Sequence, residues 1–144
     1  MKQQLRLDHQ LCFPLYAAAR KVTGLYTPYF KPLGITYTQY IVFLVLWEND
    51  DISVKDLCSR LYLDSGTLTP LLKKMEKDGY IIRKRSQEDE RVVKITLTER
   101  GREMEEKAAE IPMNVGSCIP LSETEAADLY TLLNKLLKRE VYGL

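Results

Sequence analysis

Mainly α, with one small β-hairpin, is the fold class that this sequence predicts, on three observations. Apolar residues recur at steps of three and four near both ends of the chain. Two short amphipathic segments in the middle are separated only by Tyr62 and Leu63. Directly after them, YIIRKR and RVVKITLT flank the polar tip SQEDE, a strand-like pair in which Val93, Ile95 and Leu97 alternate with Val92, Lys94 and Thr96. Two helices with a break, followed by a hairpin, make a helix-turn-helix with a wing.

The elements follow in order. Cys12, Leu15, Tyr16, Ala19, Val22, Tyr26, Tyr29 and Phe30 lie on one helical stripe, which predicts a first helix from about 12 to 31. Thr36 with Gln39 three residues later is a capping box, and YIVFLVLW after it predicts a second helix buried on most sides. Ser53 with Asp56 opens a third, with Val54, Leu57, Cys58 and Leu61 on its apolar face. Asp64 caps a fourth that turns Leu68, Leu71, Leu72 and Met75 inward and stops at Gly79. After the hairpin, Thr98 caps a fifth helix that Pro112 ends or kinks, and MNVGSCIP reads as a loop or broken turn. Ser122 with Glu125 opens a last helix with Leu129, Leu132, Leu133, Leu136 and Leu137 on one side.

The 144 residues suffice for one domain with a core of its own, so no disulfide is needed to staple it. The expected division is a winged helix-turn-helix at 52–98, with 1–35 and 99–144 supplying long helices. A small winged domain leaves those helices little core to cover, so their stripes are expected to pack on a second copy in a twofold homodimer. No apolar run reaches the length of a membrane span and the start MKQQLRLDHQ has no signal-peptide core, so the chain reads as cytoplasmic, with no membrane partner. In that compartment Cys12, Cys58 and Cys118 are expected as free thiols.

Enzymatic classes find little support. There is no Gly-rich phosphate loop, no Ser/His/Asp set and no CxxC spacing, and His9 is the single histidine. No cofactor and no metal is expected; a zinc site would have only His9, Cys12 and Cys118 as soft ligands.

Charge is more informative by segment than in total. Residues 1–50 carry 5 basic and 3 acidic side chains, 51–98 carry 10 and 8, and 99–144 carry 6 and 9, for a net charge of +1. The cations crowd at Lys73, Lys74, Lys77, Arg83, Lys84, Arg85, Arg91 and Lys94, a footprint of phosphate binding if they share a face. With Leu68, Leu72 and Met75 buried, the fourth helix shows Ser65, Thr67, Thr69, Lys73, Lys74 and Lys77. Short hydroxyls can reach base edges and lysines the backbone, as double-stranded DNA requires, although a charged helix face is also an ordinary solvated one. At the hairpin tip, Arg91 suits a narrow minor groove, with Asp89 to hold its guanidinium.

The run LDSGTLTPLLKKMEKDGYIIRKRSQEDERVVKITLTERG resembles the DNA-binding core of the MarR family of winged-helix repressors, whose Asp-x-Arg wing signature followed by Leu-Thr is matched by Asp89, Arg91, Leu97 and Thr98. The resemblance implies a homodimer joined through its N- and C-terminal helices, with two recognition helices in successive major grooves of a pseudo-palindromic operator. Within the family, QLCFPLY, GITYTQY and LYLDSGTLTP resemble the branch that senses organic hydroperoxides. That implies that Cys12 is the peroxide-reactive residue, that Tyr26 and Tyr37 hydrogen-bond its thiolate across the dimer interface, and that Tyr16 is a further aromatic neighbour. Cys118, between Gly116 and Pro120, resembles the resolving cysteine of two-cysteine members, while Cys58 reads as core.

The chemistry of the residues is compatible with that role. An apolar pocket alone disfavours a thiolate, whereas phenol donors and a helix N-terminus favour it. By spacing alone Cys12 reads first as a small buried hydrophobe, and only its combination with Tyr16, Tyr26 and Tyr37 reverses that. Pro14 departs from the family's pattern and leaves the start of the first helix open. The expected function is thus a repressor that oxidation of Cys12 removes from its operator. Two other readings stay open: release by a phenolic or other apolar ligand, and a redox-responsive regulator that activates some promoters and represses others.

Overall fold

The computed structural model describes residues 1–138 of the chain. Two short 3-10 turns, Gln3–Leu5 and Leu7–His9, precede α1 (Cys12–Gly24), α2 (Thr27–Phe30) and α3 (Tyr37–Glu48). The strand β1 (Ile52–Ser53) leads into α4 (Val54–Leu61) and α5 (Ser65–Lys77). The hairpin β2 (Ile81–Arg85) and β3 (Val93–Leu97) follows, then α6 (Glu99–Ala108), α7 (Ile111–Gly116) and α8 (Glu123–Lys138). The sheet has the order β1-β3-β2 and is antiparallel throughout, with Ile52 opposite Ile95 and Ile81 opposite Leu97.

Local sequence accounts for the helix starts. The Thr36 hydroxyl accepts from Gln39 N–H at 3.3 Å while Gln39 Oε1 accepts from Thr36 N–H at 3.0 Å. Ser53, Asp64 and Thr98 accept from the backbone N–H three residues on at 3.0, 2.7 and 3.1 Å. Ser122 and Glu125 form the reciprocal pair at 2.9 and 3.1 Å. Each closes an N–H that the helix cannot satisfy itself, for about 1 kcal/mol. The break in the helix-turn-helix is Tyr62, whose φ of 54° ends α4 in the left-handed region.

Three expectations need correction. The first helix does not run to residue 31: it stops at Gly24, and a separate turn begins at Thr27 with Pro28 in its first turn. Pro28 has no N–H for the helix ladder and its ring crowds the preceding turn, so the chain restarts rather than continues. The segment MNVGSCIP is helical in its first half, because Pro112 initiates α7 instead of merely ending α6. The hairpin is one part of a three-stranded sheet, β1 being too short to leave a sequence pattern.

The core joins α3 to the reading head. Phe43, Leu46, Leu57, Leu68, Met75 and Ile95 are fully buried, and Met104, Ala108, Ile111 and Val115 bring α6 and α7 into the same cluster. In contrast, α1 and α8 bury none of their described residues: Leu15, Leu129, Leu132 and Leu136 are 44–59% exposed. Residues 139–144 of the segment expected to dimerise lie outside the described residues.

Gly101 locks α6 to the hairpin. Trp47 Nε1 donates to its carbonyl at 3.1 Å, and a Cβ on it would lie 2.3 Å from the Tyr80 carbonyl oxygen and 2.9 Å from Leu97 Cδ2. Thr98 reinforces the junction by donating its hydroxyl to the Gly79 carbonyl at 2.6 Å. Gly101→Ala should therefore cost about 3 kcal/mol by overpacking against backbone, lowering the melting temperature by roughly 6–12 °C. An unchanged thermal midpoint would show that the junction yields easily.

Candidate functional site

The helix expected to read DNA is α5. Leu68, Leu72 and Met75 are buried, and Ser65, Thr67, Lys73, Lys74 and Lys77 are exposed, as the sequence pattern requires. Thr69 differs: it is half-buried and lines a cleft of about 340 Å³ between α5 and the hairpin, with Leu72, Arg83, Arg91 and Val93. Lys74 is also less available than its neighbours, because its ammonium pairs with Asp78 at 3.2 Å. Pro70 sits inside the helix and offers no N–H to the Gly66 carbonyl. Gly66 has a second reason to be small, since a Cβ there would lie 3.2 Å from the capping Asp64 Oδ1.

The wing is held at both ends. Glu76 of α5 accepts from Arg83 N–H at 3.1 Å, tying β2 to the reading helix. At the tip, Ser86 N–H donates to the Val92 carbonyl at 2.7 Å and Arg85 donates to the Glu90 carbonyl at 2.8 Å. Asp89 Oδ1 accepts from Arg91 N–H at 3.0 Å and from Arg91 Nε at 3.2 Å, and Asp89 Oδ2 from Arg91 Nη2 at 3.3 Å. These bonds, the side-chain ones first, hold the Asp89 carboxyl below the usual carboxylate range, so it is a carboxylate at neutral pH. The Arg91 side chain is nonetheless 91% exposed. Its guanidinium is thus aimed but not covered, the arrangement a groove contact needs. Lys55 of α4 lines the same cleft and Lys84 is exposed on β2. Sequence reasoning did not single out Lys55, because one lysine on a short helix has no pattern until α4 is seen beside the wing.

The cysteine region divides into two parts that do not touch through hydrogen bonds. Cys12 is the first residue of α1 and is exposed. No side chain caps this helix, so its first N–H groups remain open, and Pro14 in the first turn sacrifices no ladder bond. The second part is an aromatic cluster. The Tyr26 and Tyr37 rings meet edge-on with centroids 5.1 Å apart, Phe30 stacks on Tyr26 at 5.2 Å, and Tyr40 lies 5.6 Å from Tyr26. Burial pushes all three phenols up from their ordinary value, and in Tyr37 and Tyr40 the neighbouring phenols add to it, so each is a neutral O–H donor. Among the described residues neither the Tyr26 nor the Tyr37 hydroxyl makes a hydrogen bond, nor does Cys12.

Tyr16 stands apart from these rings: it is 60% exposed, with the Arg20 guanidinium 5.4 Å from its ring centroid. Tyr40 is the member that sequence reasoning missed; it lay inside the apolar run YIVFLVLW and read as core. Cys118 is exposed just after α7, its thiol 3.5 Å from the Asn114 carbonyl oxygen, and Cys58 is half-buried against the core as expected. Among the described residues no three His, Cys, Asp or Glu side chains cluster as metal ligands, and no helix is long and apolar enough to cross a membrane.

Comparison with known proteins places this geometry. Residues 24–108 match the family model for the transcriptional regulator SarA/Rot. The chain is 50% identical over 139 residues to the organic hydroperoxide resistance transcriptional regulator of Bacillus subtilis (strain 168), covering 92% of each chain. It is 39% identical to the reduced AbfR of Staphylococcus epidermidis bound to DNA, with a TM-score of 0.79 over 96% of this chain and 95% of the other. Against the disulfide-formed AbfR the identity is 38% and the TM-score 0.67, over 94% and 96%. The residues of the reading head, the wing and the cysteine region thus belong to a member of the MarR family of winged-helix transcriptional regulators, in the branch of the organic hydroperoxide resistance regulators.

Proposed function

We propose that the chain is a DNA-binding repressor that acts as a homodimer and leaves its operator when an organic hydroperoxide oxidises Cys12. The observation that carries this reading is the division of the cysteine region. An exposed thiol at an uncapped helix start, and two packed phenols with uncommitted hydroxyls, sit in one chain without using each other. A twofold dimer through the open faces of α1 and α8 would bring the Cys12 of one protomer to Tyr26 and Tyr37 of the other, and would also bury the exposed leucines. The names of the relatives support the same signal and target: hydroperoxide resistance in one, DNA and disulfide formation in the other. Residues 52–98 then act as the reading head and the terminal helices as the dimer frame. Ser65, Thr67 and Thr69 approach bases or phosphates, the lysines approach the backbone, and Asp89 presents Arg91.

In the chemical step the Cys12 thiolate attacks the outer peroxide oxygen. An S–O bond forms as the O–O bond breaks, and the departing alkoxide takes a proton, from a phenol or from water, to leave as the alcohol. The sulfur, oxidised by two electrons, is a sulfenic acid. It condenses with the thiol of Cys118 from the other protomer, forming S–S and releasing water. Disulfide geometry needs the two α-carbons within about 7 Å, so the ends of the dimer helices must shift to close it. That shift changes the separation of the two reading helices, which must match one DNA turn of roughly 34–36 Å.

Non-reducing electrophoresis after treatment with cumene hydroperoxide should show a covalent dimer that Cys118→Ser abolishes and Cys58→Ser retains. A Cys118→Ser protein that still forms the covalent dimer would remove Cys118 from the switch.

A further inference from the structure

Glu76 is the single acidic residue of α5, set among Lys73, Lys74 and Lys77 on the helix that the operator is to meet. A carboxylate there repels phosphate, so charge alone gives it no place. Nor does it serve the lysines: although Lys73 stands three positions before it, Glu76 makes no ion pair with any described residue. Its Oε2 instead accepts from the Arg83 N–H at 3.1 Å, among the described residues the one hydrogen bond between α5 and the strands of the hairpin. β2 is the outer strand of the sheet, paired with β3 on one side only, so alternate N–H groups face outward, and that of Arg83 is one of them. Arg83 lies opposite Ile95, and Ile95 lies opposite Ile52 of β1. The hairpin is thus gripped from both edges at one height, with Arg91 beyond the grip.

Packing does not fix the angle between the hairpin and α5 on this side, because the cleft lined by Thr69, Leu72, Arg83 and Arg91 stands open between them. The turn at Gly79 and the buried Ile81 fix only the root of β2: Tyr80 N–H donates to the Met75 carbonyl at 3.0 Å, and Gly79 N–H to that of Glu76 at 3.0 Å. One fixed point lets a strand swivel, whereas two define its direction. We propose that Glu76 is a positioning residue whose carboxylate sets the angle of the wing to the reading helix, so that Arg91 and α5 engage one stretch of DNA together and the preference for operator over unrelated DNA depends on it. The inference rests on the reading of Arg91 as a groove contact and adds what aims it. A swing of about 10° at the grip moves a tip roughly 12 Å away by about 2 Å, more than a hydrogen bond tolerates. The repulsion that a carboxylate brings to a DNA-binding face is then offset by a contact made in register.

The test titrates two labelled probes, a duplex selected by the native protein from a random pool and a scrambled duplex of the same composition. The proteins are the native chain, Glu76→Gln and Glu76→Ala, each with and without Arg91→Ala. Glu76→Gln keeps an oxygen to accept from the Arg83 N–H, so loss of Arg91 should weaken binding to the selected duplex as much as it does in the native chain. In Glu76→Ala that loss should shrink about tenfold, within the coupling open to groups of one network, and the preference for the selected duplex should fall with it. On the scrambled duplex both Glu76 variants should bind alike, about two- to fivefold more tightly than the native chain, because each removes one negative charge per protomer. Glu76 is exposed, and Glu76→Met, which keeps the stem without an oxygen, replaces the alanine variant if that lowers the thermal midpoint. An Arg91 effect of equal size in all three backgrounds, or glutamine and alanine variants that behave alike on the selected duplex, would overturn the role of Glu76 while leaving Arg91 as a contact. No Arg91 effect in the chain with Glu76 intact would overturn the reading of the wing itself, and this inference with it.

Discussion

A Cys12→Ser protein is expected to hold its operator with unaltered affinity and to stay on it in the presence of an alkyl hydroperoxide that removes the native protein. The substitution is conservative for the fold: Cys12 is exposed at the first position of α1 and its thiol makes no hydrogen bond among the described residues, so the change in stability should stay within about 0.5 kcal/mol. It is severe for the chemistry. A serine hydroxyl offers no thiolate to attack the O–O bond, and there is no partial version of the step, so the response should vanish rather than weaken. Fluorescence anisotropy of a labelled operator, followed before and after peroxide, reads both halves of the expectation. Release of the Cys12→Ser protein by the same peroxide would move the sensor elsewhere, to Cys58 or Cys118. Release of this protein by a phenolic ligand alone would favour a repressor governed by a ligand in the cleft between the dimer helices and the reading helices.

Arg91→Ala should weaken operator binding at least thirtyfold. The Arg91 side chain is 91% exposed and its guanidinium is buttressed by Asp89 through two bonds, so removing it deletes a prepositioned groove contact while leaving the fold alone. One such contact is worth about 1–3 kcal/mol, and a dimer loses two, or about 2–6 kcal/mol in all. Lys77→Ala should behave differently: weaker on every sequence alike, with the slope of log affinity against log salt reduced by about one unit for each lysine engaged. Titrations at several salt concentrations on operator and unrelated DNA separate the two patterns. Undiminished affinity of the Arg91→Ala protein, at an unaltered thermal midpoint, would mean that the wing stays off the DNA.

What the sequence by itself determined were the features that close within a few residues. The caps at Thr36, Ser53, Asp64, Thr98 and Ser122 were legible because each is one side chain meeting an N–H three positions on, and no distant group can compete for it. The inward face of α5 and the pairing of the wing were legible for the same reason: their periods of 3.6 and 2 are properties of the backbone. The Asp89–Arg91 contact spans two residues and belongs to this class.

The tertiary structure decided what depends on distant partners. That Gly101 must lack a side chain follows from the Tyr80 carbonyl, far from it in sequence, and glycine near a helix start has several local explanations. Tyr40, three residues from Tyr37 on α3, met Tyr26 only once the chain had folded back on α3, because an aromatic inside an apolar run carries no mark of its distant neighbours. The stripe of α1, read as made for burial, lies open in the single chain: periodicity records that a face is apolar, whereas the surface that covers it depends on where other elements, or another copy, are placed. Contacts of that kind hold because the whole chain has already been brought together, and so no short window of sequence contains their cause.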